Sequence, residues 1–265
     1  MTIELVVLGS GTPFPTPSAP ACSGYLLRSG SSTVWVDTGP GTLSNLLATT
    51  DLAAVDAIWI SHLHADHTAD LVLALYALDD GGLGSGTPVP VLAPAGLRDR
   101  IAAFLGKPPV VLDPFLTFHD LRDDDRHVIG GLTLLSRRVD HGDVEAYALR
   151  ATDADAAVAY TGDSRACPAL SAIARDVDLL LAQANHLAPE DGAPPPDADR
   201  VHLSADAAGD LAHRAGVRAL VITHIAPPTS PAAALDRAAR GFDGPIHIAT
   251  ARSVVATGSL GRSRR

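Results

Sequence analysis

SHLHADH, residues 61–67, sets three histidines and an aspartate within seven positions. It follows the apolar run AVDAIWI (54–60) and precedes TADLVLALYAL (68–78), whose apolar residues recur at helical spacing. His62 and His64 are two apart, a spacing that puts both imidazoles on one side of an extended chain. Asp66 and His67 lie where the chain turns into the helix and can face a second point nearby. Imidazole nitrogen and carboxylate oxygen suit Zn²⁺, Mn²⁺ or Fe²⁺. No thiol lies near the motif, which argues against a structural cysteine–zinc site. The competing reading is a solvated polar turn. Four ligand-type residues in HxHxDH, between a buried strand and a helix, favour a metal site, and their arrangement suggests two metals sharing ligands.

The same placement recurs along the chain. STVWVDTG (32–39), GLTLLSRRVDH (131–141), AAVAYTGD (156–163) and VRALVITH (217–224) read as apolar strands. Asp37, His62, His141, Asp163 and His224 therefore each fall at the C-terminal end of a strand, and strand ends converge on one edge of a sheet, where ligand sites form. His141 is preferred to His119 and His127, which lie in a polar, loop-like segment with no apolar strand before it. His213 reads as a surface residue of a helix and His247 as a structural residue of the last strand.

Further strands are expected at 3–9, 24–30, 88–94, 145–152, 178–185 and 245–250. Helices are expected at 42–52, 96–106, 169–177, 204–216 and 231–242, the fourth capped by Ser204 and stopped by Gly216. Residues 107–126 read as weakly structured, 10–20, 81–88 and 188–199 as loops, and 258–265 as a disordered tail. Strands come in groups and then alternate with helices in each half. That predicts an α/β fold in which two sheets pack face to face with helices outside, one domain (1–257) of two-half character.

With 265 residues, 46% of them hydrophobic, the chain can bury a full core. Its net charge is −10 and Lys107 is its only lysine. A large nucleic-acid partner, which is gripped through a basic face, is therefore not expected. No run of about 20 apolar residues predicts a membrane span, and MTIELVVLGSGTP reads as a first strand, not a leader. Cys22 and Cys167 imply no disulfide framework, and the cytoplasm is the expected compartment.

GSGTP (9–13), VDTGPG (36–41), SHLHADH, His141, YTGDS (160–164) and THI (223–225) occur in the order found in the metallo-β-lactamase superfamily, which the chain resembles over nearly its whole length. The resemblance implies a four-layer αββα sandwich, two mixed sheets with outer helices, and a dinuclear centre between the sheets. Carried onto this chain, His62, His64 and His141 would bind one divalent ion and Asp66, His67 and His224 the other. Asp163 would bridge them, and Asp37 would orient the site from outside. Zn²⁺ is the first expectation, then Mn²⁺ or Fe²⁺. Two such ions make hydroxide available from bound water and neutralise charge on a phosphoryl or carbonyl oxygen, so hydrolysis is the implied reaction.

RVHLSADAAGDLAHRAGVRALVITHIAP (200–227) resembles the corresponding region of RNase Z-like phosphodiesterases. His202 matches a residue that assists protonation of the leaving oxygen, and with Asp66, Asp37 and Gln183 it completes the expected catalytic set. Gln183 stands where the family usually has a glutamate partnering that histidine. An amide cannot hold negative charge beside imidazolium, which predicts a weaker proton donor; His186 is a possible substitute. Only residues 142–162 separate His141 from Asp163, too few for the protruding arm of tRNA-processing enzymes. The leading expectation is a phosphodiesterase of the arm-less branch acting on a small, cyclic-nucleotide-like substrate. A lactonase or thioesterase, an RNase Z-type endonuclease and a catalytically impaired metal-binding sensor are the alternatives. Relatives imply a homodimer by analogy.

Overall fold

Side chains of β1 (Glu4–Gly9) point alternately to two different apolar layers, and that alternation builds the architecture. Leu5 and Val7 enter a cluster with Tyr25, Val34, Tyr147, Val158 and Leu181; Val6 and Leu8 enter another with Trp35, Leu46, Ile58 and Leu71. A third cluster holds Ile173, Leu180, Leu211 and Ile222. Three apolar clusters separated by two sheets give four layers, helix–sheet–sheet–helix, as expected. The computed structural model describes residues 2–190 and 201–259.

In the first sheet, β1 pairs antiparallel with β2 (Gly24–Ser29), which pairs antiparallel with β3 (Ser32–Val36). Parallel partners follow: β4 (Ala57–Trp59), β5 (Val89–Ala93) and β6 (Leu116–Asp120). The second sheet repeats this scheme. The strands β7 (Asp125–Ile129), β8 (Leu132–His141), β9 (Val144–Thr152) and β10 (Ala157–Tyr160) are antiparallel neighbours. Next come β11 (Leu179–Gln183), β12 (Ala219–Thr223) and β13 (Ile246–Ile248), each parallel to the one before. A last strand, β14 (Val254–Ala256), returns to the first sheet against β1. Each sheet thus has seven strands.

The outer layers are α1 (Thr42–Leu47), α2 (Ala65–Thr68), α3 (Asp70–Asp79) and α4 (Leu97–Leu105) on one side. On the other lie α5 (Pro168–Ala174), α6 (Ala205–Ala215) and α7 (Pro231–Ala238). Ser204 caps α6 by accepting from Ala207 N, and Gly216 ends it at φ 67°, both as the sequence predicts. No helix among the described residues is long and apolar enough to cross a membrane.

Four expectations need correction. Residues 107–126 hold β6 and the start of β7, so His119 and His127 lie in strands. Both strands are sheet edges whose side chains are largely exposed or half-buried, leaving no apolar alternation to read. The first helix stops at Leu47 instead of running to 52. β14 was not foreseen, because a short strand with exposed or half-buried side chains carries little apolar pattern. His247, expected to be structural, is exposed. Part of the 188–199 loop and most of the 258–265 tail lie outside the described residues.

Polar ties cross the inter-sheet core close to one edge. Tyr25 Oη and Thr223 Oγ1 are 2.7 Å apart, and Trp59 Nε1 donates to Ser136 Oγ at 3.0 Å. All four residues are buried. Ser136→Ala strands the Trp59 N–H in an apolar layer and should cost about 1–3 kcal/mol, read as a lower urea midpoint with an unchanged denaturant slope.

Candidate metal centre

The C-terminal ends of β3, β4, β8, β10, β11 and β12 meet at one edge of the sandwich. β8 and β10 are both antiparallel to β9 and so run in the same direction. The chain leaving β4 crosses to the second sheet: Tyr147 N donates to Ser61 O at 2.9 Å, and His62 bridges to Ala146. His62 is thereby fixed beside His141 although the two belong to different halves.

Two chain reversals aim the next residues inward. Asp37 and His224 directly follow β3 and β12 and take left-handed backbone angles, φ 54° and 55°. Such angles cost a non-glycine residue about 1–2 kcal/mol. Surrounding bonds hold them: Asp37 N donates to Trp59 O at 2.8 Å, and His224 N to Ser10 O at 2.9 Å. Thr38 N donates to His67 O at 2.7 Å, and Asp70 N to Thr38 O at 2.8 Å, stitching the VDTG loop to α2 and α3. A Cβ on Gly39 would lie 2.0 Å from Asp66 O, so only glycine permits that approach.

All seven expected ligands come together. The donor atoms form overlapping groups within 4.8 Å: His62, His64 and His141; His62, His67 and Asp163; Asp66, His67 and His224. Asp163 Oδ2 lies 3.9 Å from His62 Nε2, 3.5 Å from His67 Nε2 and 3.2 Å from His224 Nε2, between the two expected triads. His64 is exposed and the other six are buried, so the cluster opens on the His64 side.

Hydrogen bonds behind the histidines decide which nitrogen faces the cluster. His67 Nδ1 is 2.8 Å from Asp37 Oδ2, His62 Nδ1 3.0 Å from Ser61 Oγ, His224 Nδ1 3.0 Å from Ser23 Oγ and His141 Nδ1 3.0 Å from Val201 O. Each of these four therefore turns Nε2 inward. His64 is the exception, with Nδ1 only 2.9 Å from His62 Nε2 and 3.4 Å from His141 Nε2. Asp37 also accepts from Ser61 N, Ser61 Oγ and Tyr160 Oη at 2.7, 2.9 and 2.8 Å. Ser61, Ser23 and Tyr160 were not singled out from the sequence. Ser61 and Tyr160 lie inside quoted motifs, but a hydroxyl carries no ligand signature.

The electrostatics fit a divalent cation. Asp37, Asp66 and Asp163 are buried, and among the described residues their only ion-pair partners are imidazoles. His67 Nε2 and Asp163 Oδ1 are buried without a hydrogen-bond partner. Burial pushes His62 and His224 below the ordinary imidazole value, and partial desolvation with the neighbouring His141 ring does the same for the more open His64, leaving lone pairs for coordination. Burial opposes ionisation of Asp163, but the imidazoles of His224 and His67 outweigh it and hold the carboxyl well below its usual range. Burial likewise opposes a proton on His67, but Asp163 and Asp37 draw one strongly. Positive charge is wanted at the point where His67 Nε2 and Asp163 face each other.

His202 and Gln183 stand beside this cluster. Gln183 Nε2 donates to Ser164 O at 2.6 Å, which fixes the amide so that Oε1 accepts from His202 Nδ1 at 2.8 Å. His202 Nδ1 is also 3.7 Å from Asp163 Oδ2. Burial, joined by the imidazoles of His224 and His141 and opposed by Asp163, pushes its pKa down to about 4. His186 contributes in the same direction from behind and belongs to none of the ligand groups. His119, His127, His213 and His247 are absent from those groups too.

A profile of the family described as the beta-lactamase superfamily domain matches residues 32–225. An uncharacterised protein of Mycobacterium tuberculosis is 36% identical over 255 residues, covering 93% of this chain and 89% of that one. A Mycobacterium protein named ribonuclease Z is 29% identical over 266 residues, 93% of each chain. The crystal structure of the metallo-beta-lactamase fold protein YhfI from Bacillus subtilis superposes with a TM-score of 0.83 at 27% identity, over 97% of this chain and 100% of that one.

Asp37→Ala frees the His67 ring and should weaken metal binding about 10–100-fold, measured by competition with a chelator. Because His62, His64 and His224 are held low while His67 is drawn well above the ordinary imidazole value, falling pH should release the ion of the Asp66–His67–His224 set before the ion of the His62–His64–His141 set. Metal content after dialysis across a pH series tests this.

Proposed function

The chain belongs to the metallo-β-lactamase superfamily and is a metal-dependent hydrolase of that fold, and on this premise we propose that it is a dinuclear phosphodiesterase of small substrates, such as a cyclic nucleotide. The observation that carries the proposal is the position of Asp163 Oδ2 between two sets of imidazoles, with His202 on the same side. His62, His64 and His141 would hold one ion, Asp66, His67 and His224 the other, and Asp163 both. Zn²⁺ is the first choice for this donor set, with Mn²⁺ or Fe²⁺ next. Two such ions supply Lewis acidity for a phosphoryl oxygen and acidify water to a nucleophile near neutral pH.

The chain's own residues do the rest. Asp37 holds the His67 ring in register, and Ser61, Ser23 and the Val201 carbonyl do the same for His62, His224 and His141. His202, tethered by Gln183, stands where the leaving oxygen of a phosphodiester would depart. With its pKa near 4 it is neutral at pH 7, and its Nδ1 proton is committed to the amide. Such a group orients an oxygen better than it protonates one, which suits leaving groups that depart as stable anions. A ribonuclease-named relative supports phosphodiester chemistry in general. A long RNA substrate fits poorly, because β8 and β9 are joined by Gly142 and Asp143 alone and no arm projects there. The net charge of −10 points the same way. We read the substrate as a small molecule and the site of action as the cytoplasm.

A second reading, hydrolysis of a lactone or thioester, is favoured by the same Gln183, most directly for the thioester, whose thiolate departs without the protonation an alkoxide needs. Metal-loaded protein tested against cyclic nucleotides, bis-p-nitrophenyl phosphate, short RNA, lactones and thioesters separates the two. Turnover confined to the carbonyl substrates would reject the first, and tight binding without turnover would indicate a sensor. Gln183→Glu places a carboxylate against His202 and raises its pKa, so its protonated fraction at pH 7 rises. On phosphodiesters with poor leaving groups, kcat should increase about tenfold or more and the alkaline limb should move to higher pH. Activated nitrophenyl esters should respond little.

A further inference from the structure

Helix α4 carries two residues that the hydrolytic machinery does not use. Arg100 Nη1 donates to Leu63 O, the carbonyl between His62 and His64. Among the described residues no carboxylate pairs with this guanidinium, so its other N–H groups are available. One turn on, at i+4 and therefore on the same helix face, Phe104 is 77% exposed, the most exposed of the large hydrophobic side chains. A Phe so exposed keeps apolar area in water that a ligand could bury. Between α4 and the α2–α3 segment lies a cavity of about 180 Å³ lined by Ala65, Thr68, Val72, Arg100, Ile101 and Phe104. A cavity of about 150 Å³ accepts a benzene ring, so this one has room for an aromatic group.

Its position is what gives the cavity meaning. Ala65 and Thr68 belong to the short helix that follows His64, and Thr68 Oγ1 donates to His64 O at 2.9 Å. His64 is the exposed member of the ligand set, so a substrate enters on this side. The cavity wall begins at Ala65, the residue after His64, and its guanidinium is held on the carbonyl between His62 and His64, with the aromatic ring one helical turn further along α4.

We propose that α4 is the recognition element for the part of the substrate that is not cleaved: Arg100 addresses the anionic group held at the metals, and Phe104 stacks on an aromatic ring, as a nucleobase offers, seated against Val72 and Ile101. The inference rests on the phosphodiesterase reading for its substrate class. It adds the aromatic group and the residues that select it.

The test is equilibrium binding of adenosine 5′-monophosphate and of ribose 5-phosphate, which lacks the base, to metal-loaded protein by calorimetry. Wild type should prefer the nucleotide about tenfold, the scale of one base–aromatic stack. Phe104→Ala should bring the two ligands within about twofold of each other, with Phe104→Tyr restoring the preference. Arg100→Ala should weaken both alike. A wild type that binds neither ligand or binds both equally overturns the proposal. So does a Phe104→Ala protein that keeps the preference, and a changed mass in sedimentation would then identify the ring as a contact between copies. Base-selective binding without phosphodiester turnover supports α4 recognition and rejects the proposed function; turnover of cyclic phosphodiesters with no base preference does the reverse.

Discussion

Among the described residues, three buried carboxylates meet four buried imidazoles and the exposed ring of His64, and pair with no lysine or arginine. Everything else at this edge follows from that imbalance. Ionised carboxylates removed from water need positive charge or dense hydrogen bonding, because an unpaired buried charge costs several kcal/mol. Asp37 meets the requirement with hydrogen bonds, four donors around two oxygens. Asp163 does not: one oxygen faces imidazole edges and the other is without a partner. The difference separates the carboxylate that orients from the one that suits a cation, although Asp37 and Asp163 both follow strands.

Bringing these groups together requires both halves of the molecule. Each half contributes an antiparallel ribbon followed by parallel strands, and parallel strands gather their C-terminal ends on one edge. The first half supplies Asp37 and the SHLHADH motif, the second His141, Asp163, Gln183, His202 and His224. The backbone bonds of Ser61 and His62 to β9 hold the two sets in register. Neither half has a complete set of donors.

Much of this was legible in the chain because two strong signals coincided. Apolar runs marked the central strands, and five of them led into a ligand-type residue (Asp37, His62, His141, Asp163 and His224), so topology and chemistry could be read together. His202 and Gln183 were legible through resemblance, and their contact follows from the segment before α6, which bridges at Ser204 to His186 just beyond β11. The hydroxyls behind the histidines were not, since serine and tyrosine fit many roles and only proximity distinguishes them. The edge strands β6, β7 and β14 were missed for a related reason. A strand half in water lacks the apolar alternation by which central strands announce themselves. The α4 residues were read simply as helix, because an exposed phenylalanine is informative only once its surroundings are known.

The return of β14 to the first sheet bears on how the molecule is made. β1 is apolar on both faces, and one of its edges is covered by β2, available almost at once. The other is covered by a strand among the last described residues. During vectorial synthesis that edge stands open while the entire second sheet is still emerging from the ribosome, a template for pairing with a neighbouring nascent chain. Truncation upstream of Val254 would leave the catalytic edge intact on paper and yet release a protein with a permanent sticky margin. Among the described residues, β14 is the strand that closes this edge of β1, and it does so only in chains translated through Val254–Ala256.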